Sequence, residues 1–373
     1  MEFYNARCHL KPAQILAQVV FKKLGWYQAI VPNGTRLAWT IMHFTICTPC
    51  RIHCTLIDLN GQLGRVDGGF GIALATPSMV LDVDTGSSGV QLDARPDALP
   101  VLREIVDKVC HKDPSLQQDV RLSLKEYFSP HIGLGSKTQL SLAVVTALLR
   151  AKHVPETAQI AARARLVERG GTSGVGCIAF EQGGFILDGG HTFGPDAEKQ
   201  TFLPSSASKT CMGPLLARFD VPRDWHFVLV TPNVRPGAHD QEEVNVFQRY
   251  CPIPLAEVQA LSHLILMKVL PTIACGDILR FGQAISSIQQ TGFKRIEVSL
   301  QADVVQKLPS YLVEQGASGA GMSSFGPTIY ALTDSGREAQ NLARAGQEFI
   351  SNVGGSVVIT TANNTGADIY GNP

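Results

Sequence analysis

Neither charge is in excess: 32 Lys and Arg face 32 Asp and Glu over 373 residues, a formal net charge of +0. With a pI near 7.1, the chain lacks the global positive field a nucleic-acid binder relies on, so no polynucleotide partner is expected. A small polyanion is not excluded, because a nest of backbone amides holds phosphate without net charge. Paired cysteine spacing is missing too. The nine cysteines are scattered, and an odd count suits a reducing compartment, the cytoplasm, better than a disulfide framework. Cys47, Cys50 and Cys54 lie near His43 and His53. No second cysteine pair follows to close a tetrahedral metal site, so small buried thiols are expected. No run reaches the roughly 18 apolar residues of a membrane helix. Internal repeats and low-complexity stretches are absent.

What is present suits a globular α/β chain. Hydrophobic residues make up 45% and charged residues 17%, ample material for a core. The length favours two domains over one. The first 41 residues stand apart, with five basic residues (Arg7, Lys11, Lys22, Lys23, Arg36) against the single acid Glu2. They lack the apolar core and cleavage site of a secretion signal. Residues 1–41 are therefore read as an extension, disordered or upstream of the native start, whose deletion leaves fold and activity intact. Residues 42–200 form a first domain and 201–365 a second, with a polar tail, 362–373, that frays.

Strand patterns fall at Phe44–Cys47 and Ile52–Ile57, followed by the hairpin dipeptide Asn60-Gly61. Residues 97–112 carry an amphipathic helix with Leu99, Leu102, Ile105, Val106 and Val109 on one side. Val120–Tyr127 alternates as a strand, and Leu140–Leu149 is apolar enough for a buried helix. Further helices are expected at 157–168, at Val258–Leu270 stopped by Pro271, at Ile278–Gln290 and near 336–351. Strands are expected at Phe227–Thr231, Thr328–Thr333 and Val357–Thr361, and Gly183–Asp188 reads as a hairpin.

Two glycine loops carry the chemistry. In Gly133-Leu-Gly135-Ser136-Lys137-Thr138 the glycines allow positive φ and close backbone approach. The helix that follows offers free N–H groups and its positive dipole end to phosphate. Ser136 and Thr138 can cap that helix or bind phosphate oxygens, and Lys137 adds a mobile charge. Gly319-Ala-Gly321-Met-Ser323-Ser324-Phe-Gly326 is the second. Each alone also serves as a plain tight turn. Together with the segment around Ser173 they resemble the three signatures of the GHMP kinases. That resemblance runs over nearly everything after Met42. It implies an α/β (α+β) two-domain fold, a ribosomal-S5-like N-terminal domain followed by a ferredoxin-like one.

One carboxylate is missing. Many GHMP kinases carry Ser-Gly-x-Asp before a Gly-Gly pair, and the Asp is the catalytic base. Here the stretch is Ser173-Gly174-Val175-Gly176, and glycine takes no proton. Within the superfamily the chain is most similar to the β-ribofuranosylaminobenzene 5′-phosphate synthases of methanopterin biosynthesis. The strings that carry this are Pro49-Cys-Arg51-Ile-His53, Gly64-Arg65-Val-Asp67-Gly-Gly69, Gly170-Gly-Thr-Ser-Gly, Phe202-Leu-Pro-Ser-Ser, Cys251-Pro-Ile-Pro-Leu, His263-Leu-Ile-Leu-Met-Lys268 and Gly319–Thr328.

That resemblance implies a pentosyltransferase. The ring carbon bearing the carboxylate of 4-hydroxybenzoate or 4-aminobenzoate attacks C1 of phosphoribosyl pyrophosphate, and pyrophosphate and CO2 leave. Pyrophosphate calls for cations and Mg2+, and the oxocarbenium-like centre calls for preorganised charge. Arg51 and Arg65 can fork onto phosphate or carboxylate. Asp67 is the candidate metal ligand or charge stabiliser, or else a turn residue. His53 protonates, orients or packs. Asp67, His53 and Lys137 are thus the catalytic candidates. Gly133, Gly135, Ser136, Thr138, Arg51, Arg65, Gly319, Gly321, Ser323 and Ser324 are the phosphate-binding ones. Asp188 and His191 share a loop, and Ser205, Ser206 and Ser208 form a polar stretch that closes over phosphate or links domains. Asp58 reads as turn chemistry, Glu242 and Glu243 as a solvated face, and His263 as packing. A homodimer without nucleic-acid or membrane partners is expected. The alternatives are an ATP-dependent kinase using Asp67 or Asp188 as base, and a non-enzymatic binding module, which the neutral pI disfavours.

Overall fold

The computed structural model describes residues 28–30, 36–38, 41–152, 159–205, 207–238 and 240–372. Most of the 1–41 extension therefore lies outside the described residues, as does Ser206. Within it, β1 (Gln28–Ile30) and β2 (Arg36–Ala38) pair antiparallel, in a unit, Met1–Met42, distinct from His43–Pro373.

The larger unit is built on two sheets. β3 (His43–Asp58) and β4 (Arg65–Thr85) form one long antiparallel hairpin closed by the turn at 59–64. The two strands expected at 44–47 and 52–57 are thus a single strand. Register shifts between Thr48 and Cys50 and between His53 and Thr55 absorb the irregularity, and they place Pro49 where no ladder hydrogen bond is lost. β6 (Val120–Glu126) pairs with the second half of β4, and β5 (Val90–Asp93) runs parallel to β6. β7 (Phe185–Asp188) and β8 (His191–Thr192) pair with the first half of β4, and β9 (Leu215–Phe219) extends the sheet from β7. The second sheet is antiparallel, in the order Gly319–Met322, Ile329–Thr333, His226–Pro232, Gly355–Thr361; these are β11, β12, β10 and β13. Strands on both sides of residue 200 share the larger sheet.

Helices cover the sheets. Leu102, Ile105, Val106 and Val109 of helix Leu99–Lys112 are buried, as their spacing requires. Helix Ser136–Ala151 is buried along nearly its whole length. On the second sheet, Val305, Leu308 and Leu312 of helix Asp303–Glu314 and Leu342 of helix Gly336–Phe349 pack with Val228, Val230 and Ile329. Each such side chain stabilises by about 1.5–3 kcal/mol.

Three expectations change. The tail is not frayed: β14 (Asp368–Asn372) pairs with His43–Cys47 at the open edge of β3, a gain made by backbone groups that composition does not show. Gly319–Met322 is a strand, not a loop. Pro271 does not stop its helix. Leu255–Leu264 continues through a π-helical turn, Ile265–Val269, into Leu270–Cys275, and the wide turn takes up the missing donor and the ring of the proline. The most apolar window of this 21-residue helical stretch has a mean hydropathy of 1.5, with only 33% of it buried. Glu257, His263 and Lys268 hide it from a search for unbroken apolar runs.

Candidate active site

Residues from β3 and from the turn after β11 meet at a cavity of about 380 Å³, the size of a small-ligand site. β3 sends Arg51 and His53 into it, two residues apart and so on one face. The Gly133–Thr138 loop and the start of helix Ser136–Ala151 form one wall. Gly133 and Gly135 sit at φ +90° and +81°. Arg51 underpins them. Its Nη1 donates to Gly133 O at 2.5 Å, its backbone N–H donates to Leu134 O at 3.1 Å, and its guanidinium lies 3.2–3.3 Å from where a Gly135 Cβ would stand. Burial pushes the Arg51 guanidinium down to about 10.

The Ser323–Ser324 turn closes the wall. Ser323 Oγ donates to Gly133 O at 2.6 Å and accepts from His53 N at 3.0 Å, while Ser324 N donates to His53 O at 2.9 Å. Ser324 lines the cavity and Ser323 lies just behind it. Arg51, His53, Gly133, Gly135, Ser136, Lys137, Thr138 and Ser324 therefore converge. Lys137 reaches Glu104 at 3.1 Å. The His53 imidazole is held well below 6.5 by burial and by the charges of Arg51 and Lys294, and its Nε2 has no partner.

Asp67, Arg65, Gly319 and Gly321 do not line the cavity. Asp67, at φ +67°, is wholly buried; its Oδ2 meets His191 Nδ1 at 2.7 Å and Lys199 Nζ at 2.8 Å. Lys199 also donates to Leu203 O at 3.1 Å and Gly171 O at 3.2 Å. The carboxylate thus supports the 170–173 loop, which does border the cavity. Arg65 donates to Gly189 O (2.5 Å) and Gly190 O (3.1 Å) instead of reaching for substrate. A Cβ on Gly319 would stand 2.1 Å from Gly282 O, and one on Gly321 would meet Gln289 and Tyr330. These two glycines let a helix approach a strand. Asp188 turns inward as well. It accepts from Gly190 N, Ser173 Oγ and Gly174 N at 2.9–3.1 Å, and burial pushes it up to about 6.

Several lining residues escape sequence reasoning. Arg169 borders the cavity with its Nε buried and without a partner, a donor in want of an oxygen; its place beside Gly170-Gly171 is the signal that pointed to it. Glu243, expected on a solvated face, lines the cavity, whereas Glu242 pairs with Arg235 at 2.8 Å. Ser205, from the polar stretch expected to close over phosphate or link domains, does line the cavity, while Ser208 bonds Thr210 at 2.8 Å. Asp58 is turn chemistry, accepting from Asn60 N (2.7 Å) and Gly61 N (3.0 Å). His263 is exposed rather than packed. Cys50 and Cys54 are buried free thiols pushed up to about 12 by burial.

The sequence of a β-ribofuranosylphenol 5′-phosphate synthase from Methanothermobacter thermautotrophicus is 41% identical over 334 residues, covering 88% of this chain and 98% of that protein. The chain belongs to this synthase family. A second member, from Methanocaldococcus jannaschii, is 40% identical over 339 residues, 87% of this chain and 99% of that one. Residues 267–352 match the family model for the GHMP kinases C-terminal domain. The fold is that of the GHMP superfamily. A homoserine kinase from Cytophaga hutchinsonii superposes with a TM-score of 0.59 at 14% identity, over 88% of this chain and 97% of the other. The mevalonate diphosphate decarboxylase of Enterococcus faecalis gives 0.54 at 13%, over 89% and 100%. As a member of the synthase family the chain is an enzyme, a pentosyltransferase-type synthase, and the kinase likeness is one of fold.

Proposed function

We propose that this enzyme joins 5-phosphoribosyl 1-pyrophosphate to 4-hydroxybenzoate or 4-aminobenzoate, releasing CO2 and pyrophosphate, in methanopterin biosynthesis. The observation that carries this beyond family membership is the missing carboxylate at the kinase-base position. Gly176 lines the cavity beside the phosphate loop with no carboxylate to take a proton, and a Cβ there would already stand 3.2 Å from Thr138 Cγ2. The loop itself remains suited to phosphate.

The Gly133–Thr138 amides and the helix start bind the phosphates, with Lys137 and Arg169 adding charge and Arg51 holding the loop in shape. These fixed charges are in place before the C1–oxygen bond breaks and need no reorganisation as it does. For Mg2+, no group of three or more His, Cys, Asp or Glu among the described residues is arranged to hold a metal. Asp67 is engaged by Lys199 and His191 away from the cavity. Glu104 and Glu243 line the cavity, and one carboxylate with pyrophosphate oxygens is an ordinary Mg2+ donor set. Either of them would hold the ion, which would neutralise leaving-group charge when bound.

Thermal unfolding provides the test. Phosphoribosyl pyrophosphate with Mg2+ at 100 times its Kd is expected to add roughly 2.7 kcal/mol, and ATP little. Labelled CO2 should then be released from one or both carboxyl-labelled benzoates. Equal stabilisation by ATP, with phosphoryl transfer to a small alcohol, would overturn the proposal.

The enzyme is further read as a cytoplasmic homodimer. The half-exposed helix Leu255–Cys275 supports the dimer, since Leu266 and Met267 are each 61% exposed and a second copy would cover them. Light scattering on Leu266→Asp/Met267→Asp should show a monomer where the parent is a dimer.

A further inference from the structure

The cavity changes character along β3. Its lining runs from Arg51, beneath the glycine loop, through His53 to Leu56, about 16 Å of strand at ~3.3 Å per residue. Leu56 packs in an apolar cluster with Phe247, Phe293, Ile296 and Phe325, three of whose members (Leu56, Phe247 and Phe325) face the cavity. Into this apolar end helix Gly292–Ser299 brings two buried charges, Lys294 at 0% and Glu297 at 2% exposure, which contact each other one turn apart. Lys294 Nζ also donates to Ser324 O at 3.0 Å and Met322 O at 3.4 Å. Glu297 lines the cavity, and its Oε2 is the oxygen that meets Lys294 Nζ. Desolvating such a pair costs several kcal/mol per ion, and an apolar pair of the same volume is often at least as stable. Stability alone does not account for a carboxylate here.

The chemistry of the reaction proposed above, on which this inference rests, sets the orientation of the benzoate. The ring carbon that bonds C1 of the ribose is the one bearing the carboxylate. The ring meets C1 by its π face, and the 4-substituent, para to the reacting carbon, lies at the far end of the ring. With the phosphates on the Gly133–Thr138 loop, that substituent reaches the apolar end. We infer that Glu297 receives the 4-substituent and acts as general base for a 4-hydroxyl. The ring π pair forms the bond to C1 while the C1–oxygen pair departs with pyrophosphate. The phenolic proton passes to the Glu297 carboxylate, and the oxygen lone pair closes a cyclohexadienone carbonyl. Loss of CO2 returns the C–C bonding pair to the ring, and the oxygen recovers the proton from Glu297 as aromaticity is restored.

The surrounding groups leave this role to Glu297. Burial raises its carboxyl, and Lys294 opposes that. From β3, His53 is held neutral and weakly basic, and Cys54 is pushed up to about 12 by burial. From β12, burial drives Tyr330 well above 10. A 4-amino group differs in chemistry: its lone pair feeds the ring without loss of a proton, so it needs an acceptor but no base.

The full-length chain tests this with both benzoates. Glu297→Gln is expected to lower kcat on 4-hydroxybenzoate by about 10²–10³-fold, the scale of general-base removal. On 4-aminobenzoate the loss is expected to stay within about tenfold. The acid limb of the 4-hydroxybenzoate pH profile should vanish as well. Lys294→Met/Glu297→Gln, which leaves no buried unpaired charge, should melt near the parent and show the same discrimination. Equal losses on both substrates, or a retained acid limb, overturn the inference while the reaction stands. Turnover of 4-aminobenzoate alone by the unmodified enzyme overturns it too. An unmodified enzyme inactive on both benzoates overturns the reaction itself.

Discussion

Replacing Gly135 by valine is expected to remove measurable binding of phosphoribosyl pyrophosphate while the protein still folds. Gly135 sits at φ +81° immediately before helix Ser136–Ala151. A β-branched residue resists that region at a cost of order 1–3 kcal/mol. The steric term adds to it. A Cβ at 135 would already stand 3.2 Å from Arg51 Cγ and Nε, and valine carries two further methyl groups. Arg51 cannot retreat easily, because its guanidinium is anchored on Gly133 O and its backbone on Leu134 O. The variant therefore disturbs the amides and the cation beneath them together. Titration calorimetry should show affinity weakened more than ~100-fold, equivalent to about 2.8 kcal/mol. Gly135→Ala, with the same φ but no branch, should fall between. Near-native affinity in the valine variant would reduce this loop to a structural turn.

The second large effect falls on stability. Asp67→Asn keeps the size of the side chain and tolerates the positive φ, yet it removes the anion from a wholly buried cluster. Lys199, 2% exposed at its side chain, and His191, at 0%, both face Asp67 Oδ2. Leaving a buried lysine without its counter-charge costs about 3–5 kcal/mol. The melting temperature should fall by roughly 6–20 °C, since ~1 kcal/mol moves a domain of this size by about 2–4 °C. Lys199 also holds Gly171 O and Leu203 O, so KM should rise as the 170–173 edge of the cavity loosens. Added Mg2+ should restore neither. Asp67→Asn/Lys199→Met should recover much of the stability.

The same cluster predicts a pH dependence. Burial lowers the His191 imidazole, but the hydrogen bond and charge of Asp67 outweigh that and raise it above 6.5. A raised histidine contributes stability that is fully present below its unfolded value. That contribution is lost as pH rises through the folded one. Urea unfolding on either side of neutrality should show this decline in the parent and not in Asp67→Asn. A variant with parental melting and a slow rate rescued by Mg2+ would return Asp67 to the chemistry.

Much of this architecture could be read from local pattern. The helices at 99–112, 136–151, 278–288 and 336–349 and the strands at 120–126 and 226–232 announce themselves because burial of one face imposes its period on neighbouring residues. The glycine loop, Arg51, His53 and Lys137 share the cavity because a glycine turn before a helix and alternation along one strand are short-range properties. The absent carboxylate at Gly176 is likewise a fact of sequence, and it separates this synthase from the kinases whose fold it shares.

Only the tertiary structure decided the rest, and each case turns on partners far apart in the chain. β14 exists because β3 has an open edge. Gly319 is needed because Gly282, on a helix 37 positions earlier, comes within contact. Asp67 resembled a metal ligand until Lys199 and His191 closed on it from residues more than 120 positions away. Lys294 and Glu297, three residues apart, have the spacing of an ordinary solvated pair. Burial beside Leu56, Phe247 and Phe325 turns them into a polar device at the end of an apolar cavity, because desolvation depends on the neighbours in space and not on the neighbours in sequence.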